Sequence, residues 1–73
     1  MKTEIKLRTE YIKLDQLLKL SGIAESGSMA KELILDRIVS VNGEECTMRG
    51  KKIRAGDAVT VDLGGETLEV TVS

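Results

Sequence analysis

The chain has 73 residues, 41% of them hydrophobic and 32% charged, so we expect one small domain, residues 1–73, with a modest core. Histidine is absent, Tyr11 is the only aromatic residue, and Cys46 is the only cysteine. This composition argues against a disulfide framework, a metal site and a catalytic group, so we expect neither enzymatic activity nor a cofactor. No apolar stretch is long enough for a membrane span, and we expect a cytoplasmic protein.

The net charge is −1, but the charges are unevenly distributed. All 11 Lys and Arg residues lie between Lys2 and Arg54, together with eight of the 12 acidic residues. The segment from Ala55 onward contains the other four acidic residues and no base. This asymmetry weakly favours a protein with one face that meets an anionic partner.

The first predicted elements are a strand and two helices. Residues 3–8 alternate between polar and apolar side chains, which predicts a short strand. Residues 14–20 have leucines at the i, i+3, i+4 spacing of one helix face, and Gly22 suits the position just after a helix end. A second helix is predicted to begin near Ser26 or Ser28, since either serine could cap it, and to end near residues 36–37.

The rest of the chain predicts antiparallel strands. Residues 39–41 alternate and precede Asn42-Gly43, a strong hairpin signal, and residues 59–63 and 66–72 flank a two-glycine turn. The order of elements predicts an α+β fold, with two packed helices against a small, mainly antiparallel sheet of about four to five short strands.

The predicted loop at residues 44–57 contains the strongest candidate binding site. Four cations lie within six residues there, and we call them the basic run: Arg49, Lys51, Lys52 and Arg54. Cations spaced along a backbone can contact successive phosphates, and such contacts supply most of the nonspecific affinity for nucleic acids. The alternative interpretation is a solvated loop whose charge is offset by Glu44 and Glu45.

Weaker candidates lie on the two helices. The start of the second helix could bind a phosphate through free backbone N–H groups and the hydroxyl groups beside them, or could simply be capped. Its residues are Ser26, Gly27, Ser28 and, one turn later, Lys31. Lys13 and Lys19 at the first helix could join an RNA surface or remain solvated. Tyr11 could stack on an unpaired base or pack as a staple before the helix.

Three segments resemble a known family over residues 11–61. Lys-Leu-Asp-Gln-Leu-Leu at residues 13–18 resembles the opening helix of the RNA-binding domain named after small-subunit ribosomal protein four. Residues 26–34 resemble the second helix of that domain. Val-Ser-Val-Asn-Gly at residues 39–43, with Gly56-Asp57 further on, resembles its turn and its strand entry. The chain is most similar to small, stand-alone bacterial members.

The resemblance implies a noncatalytic module that binds structured RNA, ribosomal or transfer, through the two-helix alpha-L surface. By this resemblance, Lys13, the start of the second helix and the basic run are the residues expected to contact RNA. We expect a monomer with no DNA specificity and no membrane partner. The alternative is a protein-interaction module that keeps the fold without binding RNA.

Three positions depart from the family pattern. Gly27 stands where an arginine is common, and Leu35 replaces another basic residue, so the second helix carries less positive charge. Arg37 replaces the glycine that commonly ends this helix, and it must either adopt a left-handed conformation or end the helix differently. Arg37 could restore part of the lost charge.

Overall fold

The computed structural model describes residues 2–73, which form two helices and seven short strands. In chain order these elements are β1 (Lys2–Ile5), β2 (Ile12–Lys13), α1 (Leu14–Leu20), α2 (Gly27–Leu35), β3 (Val39–Val41), β4 (Glu44–Glu45), β5 (Lys52–Ile53), β6 (Ala58–Asp62) and β7 (Thr67–Val72). The predicted α+β class is confirmed.

Five strands form the main sheet, in the order β1-β7-β6-β3-β4. β1 pairs in parallel with β7, and the other neighbours are antiparallel. Asn42 and Gly43 have φ values of 51° and 87°, so both residues of the predicted β3–β4 turn adopt the left-handed conformation that a tight hairpin requires. β2 and β5 form a separate two-stranded antiparallel sheet, which includes part of the basic run.

The core is aliphatic and lies between the two helices and the strands. Its fully enclosed large side chains are Leu14, Leu17, Leu18, Ile34, Val39, Ile53, Val59, Val61 and Val70. The three leucines of α1 are those whose helical spacing predicted a buried face. Within residues 2–73 no charged or polar side chain is buried among them, so the core rests on apolar burial alone.

The helices are capped by the predicted residues, and the end of α2 requires a conformation at Arg37 that is energetically unfavourable. The Ser26 hydroxyl oxygen accepts a hydrogen bond from the Met29 N–H at 3.1 Å, and Gly22 adopts a φ of 85° after α1. Arg37 takes the left-handed alternative, with a φ of 65°, and its N–H donates to the Ile34 carbonyl at 3.2 Å. A side chain in this conformation costs about 1–2 kcal/mol relative to the ordinary helical region.

Two features of the strands differ from the sequence prediction. The first strand spans Lys2–Ile5 rather than residues 3–8, and it pairs with β7 at the far end of the chain. The predicted loop at residues 44–57 contains the two-residue strands β4 and β5. In the part of the chain that the structure describes, neither helix has the length and apolar character to cross a bilayer.

Candidate nucleic-acid interface

The pairing of β2 with β5 holds the basic run against the start of α1. Ile12 lies opposite Ile53, and Lys13 lies opposite Lys52. Ile53 is fully buried, whereas the lysines on both strands are exposed. β5 therefore anchors its apolar residue in the core and presents its cation to solvent. Its pairing with β2 places Lys13 beside the basic run.

The backbone of the basic run also caps α1. The Leu14 N–H donates to the Lys51 carbonyl at 2.9 Å, and the Asp15 N–H donates to the Arg49 carbonyl at 3.1 Å. These bonds satisfy helix donors that would otherwise need water or a side chain. The start of α1 is therefore occupied by protein, while the side chains of Arg49 and Lys51 remain exposed.

Asn42 and Asp57 fix the other end of the run. The Asp57 carboxylate accepts from the Arg54 N–H at 2.8 Å and from the Asn42 side-chain amide at 3.0 Å. The Asn42 amide oxygen accepts from the Ala58 N–H at 2.9 Å. The backbone N–H of Arg54, the amide of Asn42 and the nearby charges of Lys51 and Arg54 hold the pKa of Asp57 below its ordinary value of 3.8.

We expect Asp57→Asn to lower the free energy of unfolding by about 1–2 kcal/mol at neutral pH. The substituted side chain at position 57 has one acceptor oxygen in place of two, so the amide nitrogen of Asn42 and the N–H of Arg54 would compete for it. The other end of the Asn42 amide, its oxygen, already accepts from Ala58 and is not free to bond the new amide group. Because folding lowers the pKa of Asp57, the advantage of the wild type exists above pH 3.8 and disappears as the pH falls through the folded-state value. Urea unfolding at several pH values measures this difference.

Glu66→Gln is the control, because the side chain of Glu66 makes no hydrogen bond or ion pair within residues 2–73. It removes one carboxylate and should leave stability nearly unchanged over the same pH range. Equal stability of Asp57→Asn and the wild type at every pH would show that this carboxylate does not hold the turn.

Tyr11 lies next to the basic run. Its ring centroid is 5.0 Å from the Lys52 ammonium nitrogen and 6.0 Å from the centre of the Arg54 guanidinium, distances at which a cation is attracted to a ring face. Tyr11 is half-buried, immediately before β2. The structure therefore joins Tyr11 to the cations, a contact that sequence reasoning did not identify.

The acidic neighbours do not neutralise the run by direct pairing. Glu44 and Glu45 line an open hollow of about 750 Å³ together with Lys51, Lys52 and Arg54. In the described residues, however, neither glutamate forms an ion pair with a cation of the run, and Glu45 instead lies 4.0 Å from the guanidinium of Arg37. The charge of Arg37 is thus partly offset, whereas neither glutamate pairs with a cation of the basic run in the described residues.

The remaining predicted residues lie on the helices. Lys19, Lys31, Gly27 and Ser28 are exposed, and the hydroxyl of Ser26 caps α2. α1 packs on α2, but no hydrogen bond or ion pair between residues 2 and 73 connects these positions to the basic run. The structure thus brings together Lys13 and the run, and it leaves the predicted helix positions as separate exposed groups.

The side chains gathered here are cations on a fixed backbone, and the one thiol lies outside the basic run. No group of three potential metal ligands occurs in residues 2–73. Cys46 is half-buried against the core, and its sulfur lies 3.7 Å from the Met48 carbonyl. Residues 13, 49, 51, 52 and 54 instead form a surface of fixed backbone and exposed cations, which we call the basic surface.

Comparison with known proteins finds relatives that match most of the chain. Residues 5–71 match the family described as the S4 domain. The chain is 40% identical over 62 residues to the "Probable ribosome maturation protein RlbA" of Bacillus subtilis (strain 168), covering 85% of this chain and 87% of that protein. It is also 40% identical over 60 residues to YbcJ of Escherichia coli (strain K12), covering 82% and 83%.

A solved structure is similar as well. The solution structure of YbcJ from E. coli, described as revealing an alfaL motif involved in RNA-binding, aligns with a TM-score of 0.60 and 34% identity. The alignment covers 96% of this chain and 85% of the YbcJ chain. Nearly the whole chain thus matches in sequence and in fold, and the protein belongs to the S4 domain family.

Proposed function

We propose that the protein binds structured RNA, ribosomal or transfer, through contacts between cationic side chains and backbone phosphates, without catalysing a reaction. The observation that carries this proposal is the basic surface. Its cations are exposed, form no ion pair within residues 2–73, and extend from a backbone that α1, β2 and Asp57 hold in place. Such a surface loses less backbone freedom on binding than a flexible loop.

Phosphate contacts and helix shape would dominate recognition. A-form RNA displays its phosphates and 2′-hydroxyl groups across a wide minor groove, and a protein can read that shape without many base contacts. With Tyr11 as the only aromatic residue, several stacked bases cannot be accommodated. Recognition of RNA shape also accounts for the expected lack of DNA specificity.

The exposed helix positions would extend the contact. Gly27, Ser28 and Lys31 lie at the start of α2, where backbone N–H groups and a cation favour phosphate, and the Ser26 hydroxyl can still donate its hydrogen. Lys19 and Arg37 would add positive charge at the margin of the contact with RNA. The description of YbcJ supports RNA as the partner, and the name of RlbA supports a role connected with the ribosome. We propose that the protein acts as a monomer in the cytoplasm.

We expect purified protein to bind structured RNA with an affinity that falls steeply with salt. If four phosphates are contacted, a fourfold rise in salt should weaken binding on the order of a hundredfold, because condensed counterions are released on association. Titration of ribosomal and transfer RNAs at several salt concentrations measures the slope. Absence of binding at low salt would overturn the proposal.

A protein-interaction module is the second candidate. Leu35 on α2 is 57% exposed, and Leu20 on α1 is 61% exposed. Exposed leucines on both helices favour contact with an apolar protein surface more than contact with phosphate. A specific protein partner retained after complete nuclease digestion, together with no RNA affinity of the purified chain, would support this candidate.

A further inference from the structure

A second hollow adjoins the basic surface. It has a volume of about 720 Å³ and is lined by Thr9, Glu10, Tyr11, Ile12, Lys13 and Gln16. Sites for small ligands span about 300–1,000 Å³, so the space is sufficient for one nucleotide. The hollow combines an aromatic ring, a cation, a carboxylate and an amide in one short segment.

The ring of Tyr11 is positioned between this hollow and the basic surface. Lys52 and Arg54 contact the ring but do not line the hollow, whereas Tyr11 and Lys13 line it and Lys13 also belongs to the basic surface. The segment before β2 is also constrained, because the Thr9 hydroxyl donates to the Tyr11 carbonyl at 2.8 Å. A strand of RNA that follows the cations would therefore reach the ring.

The charges of the hollow define an orientation for a nucleotide. Lys13 attracts a phosphate, whereas the carboxylate of Glu10 repels it and can accept hydrogen bonds from the N–H groups of a base. The phosphate would thus lie toward Lys13 and the base edge toward Glu10. Between them the ring of Tyr11 offers a surface on which any base can stack.

We propose that this hollow binds one unpaired nucleotide of the RNA, with its base stacked on Tyr11 and its phosphate at Lys13. The inference rests on the proposed RNA-binding function and adds to it a preference for RNA that carries an extrahelical base next to a duplex. It assigns the side chain of Tyr11 to binding, beyond any role in packing before α1.

The test compares two blunt RNA duplexes, one fully paired and one with a single bulged nucleotide, at one salt concentration. Wild-type protein should bind the bulged duplex about tenfold more tightly, since stacking of one base on an aromatic side chain supplies a gain of that order. Tyr11→Leu should remove the preference, so that the variant binds both duplexes equally, and Tyr11→Phe should retain the preference. Circular dichroism checks that each variant is folded.

Tyrosine emission gives a readout in the unaltered protein, because Tyr11 is its only aromatic residue. Saturation with the bulged duplex should quench this emission, whereas the paired duplex should leave it nearly unchanged; free N-acetyltyrosinamide corrects for absorption by RNA. Equal affinity for both duplexes, or unquenched emission at saturation, would overturn the inference and leave the proposed function standing. Failure to bind either duplex would overturn both.

Discussion

Reversing two charges of the basic surface, as Lys51→Glu with Lys52→Glu, is expected to lower RNA affinity by at least about a hundredfold at physiological salt. Each lost charged contact with a phosphate costs about 1.5–3 kcal/mol, and a new carboxylate adds repulsion. Both side chains are exposed, so the fold should be unaffected. The dependence of log affinity on log salt should also become shallower by about two, which titration at several salt concentrations measures.

A control matched in net charge distinguishes local contacts from general repulsion. Neutralising both lysines, as Lys51→Gln with Lys52→Gln, changes the net charge by the same amount as the single reversal Lys2→Glu. Lys2 lies on β1, at the edge of the main sheet opposite β4, and its only ion pair within residues 2–73 is an exposed contact with Glu69 at 4.0 Å. The paired neutralisation should weaken binding far more than Lys2→Glu. Equal effects would mean that the basic surface has no special role.

The predictable parts of this fold are those specified by local sequence. The leucines of α1 reveal their helix by spacing alone, and the predicted bounds, 14–20, match those observed. Asn42-Gly43 is predictable as a turn because few residues other than Asn and Gly adopt two successive left-handed conformations. The parallel pairing of β1 with β7 is not predictable in this way, since it joins segments more than 60 residues apart.

The candidate site was predictable in composition but not in arrangement. Four cations within six residues identify the basic run from sequence, yet the strand within it, β5, has only two residues and no alternation to reveal it. Its partner is β2, far earlier in the chain, and this pairing is what brings Lys13 and Tyr11 to the run. Asn42 and Asp57 were visible as parts of two motifs, but a hydrogen bond across 15 positions has no local signature.

Ile53→Ala is expected to lower the free energy of unfolding by about 2–5 kcal/mol, because it opens a cavity beneath β5. Ile53 is fully buried, and a chain of this length has a total stability of roughly 4–11 kcal/mol, so the loss is a large share. The milder change Ile53→Val keeps the branched side chain and should cost about 0.5–1.5 kcal/mol. Urea unfolding of both variants measures these losses.

The same substitution should also weaken RNA binding, because Ile53 connects the basic surface to the core. With Ile53 shortened, β5 is held less firmly against Ile12, and Lys52 loses its fixed position opposite Lys13. Val70→Ala is the matched core change: Val70 is also fully buried, but it lies in β7 and pairs with β1 and β6. At a temperature where both variants are folded, Ile53→Ala should lower RNA affinity and Val70→Ala should not. Equal affinities would show that the cations act from a mobile loop, and that the anchoring of β5 serves stability alone.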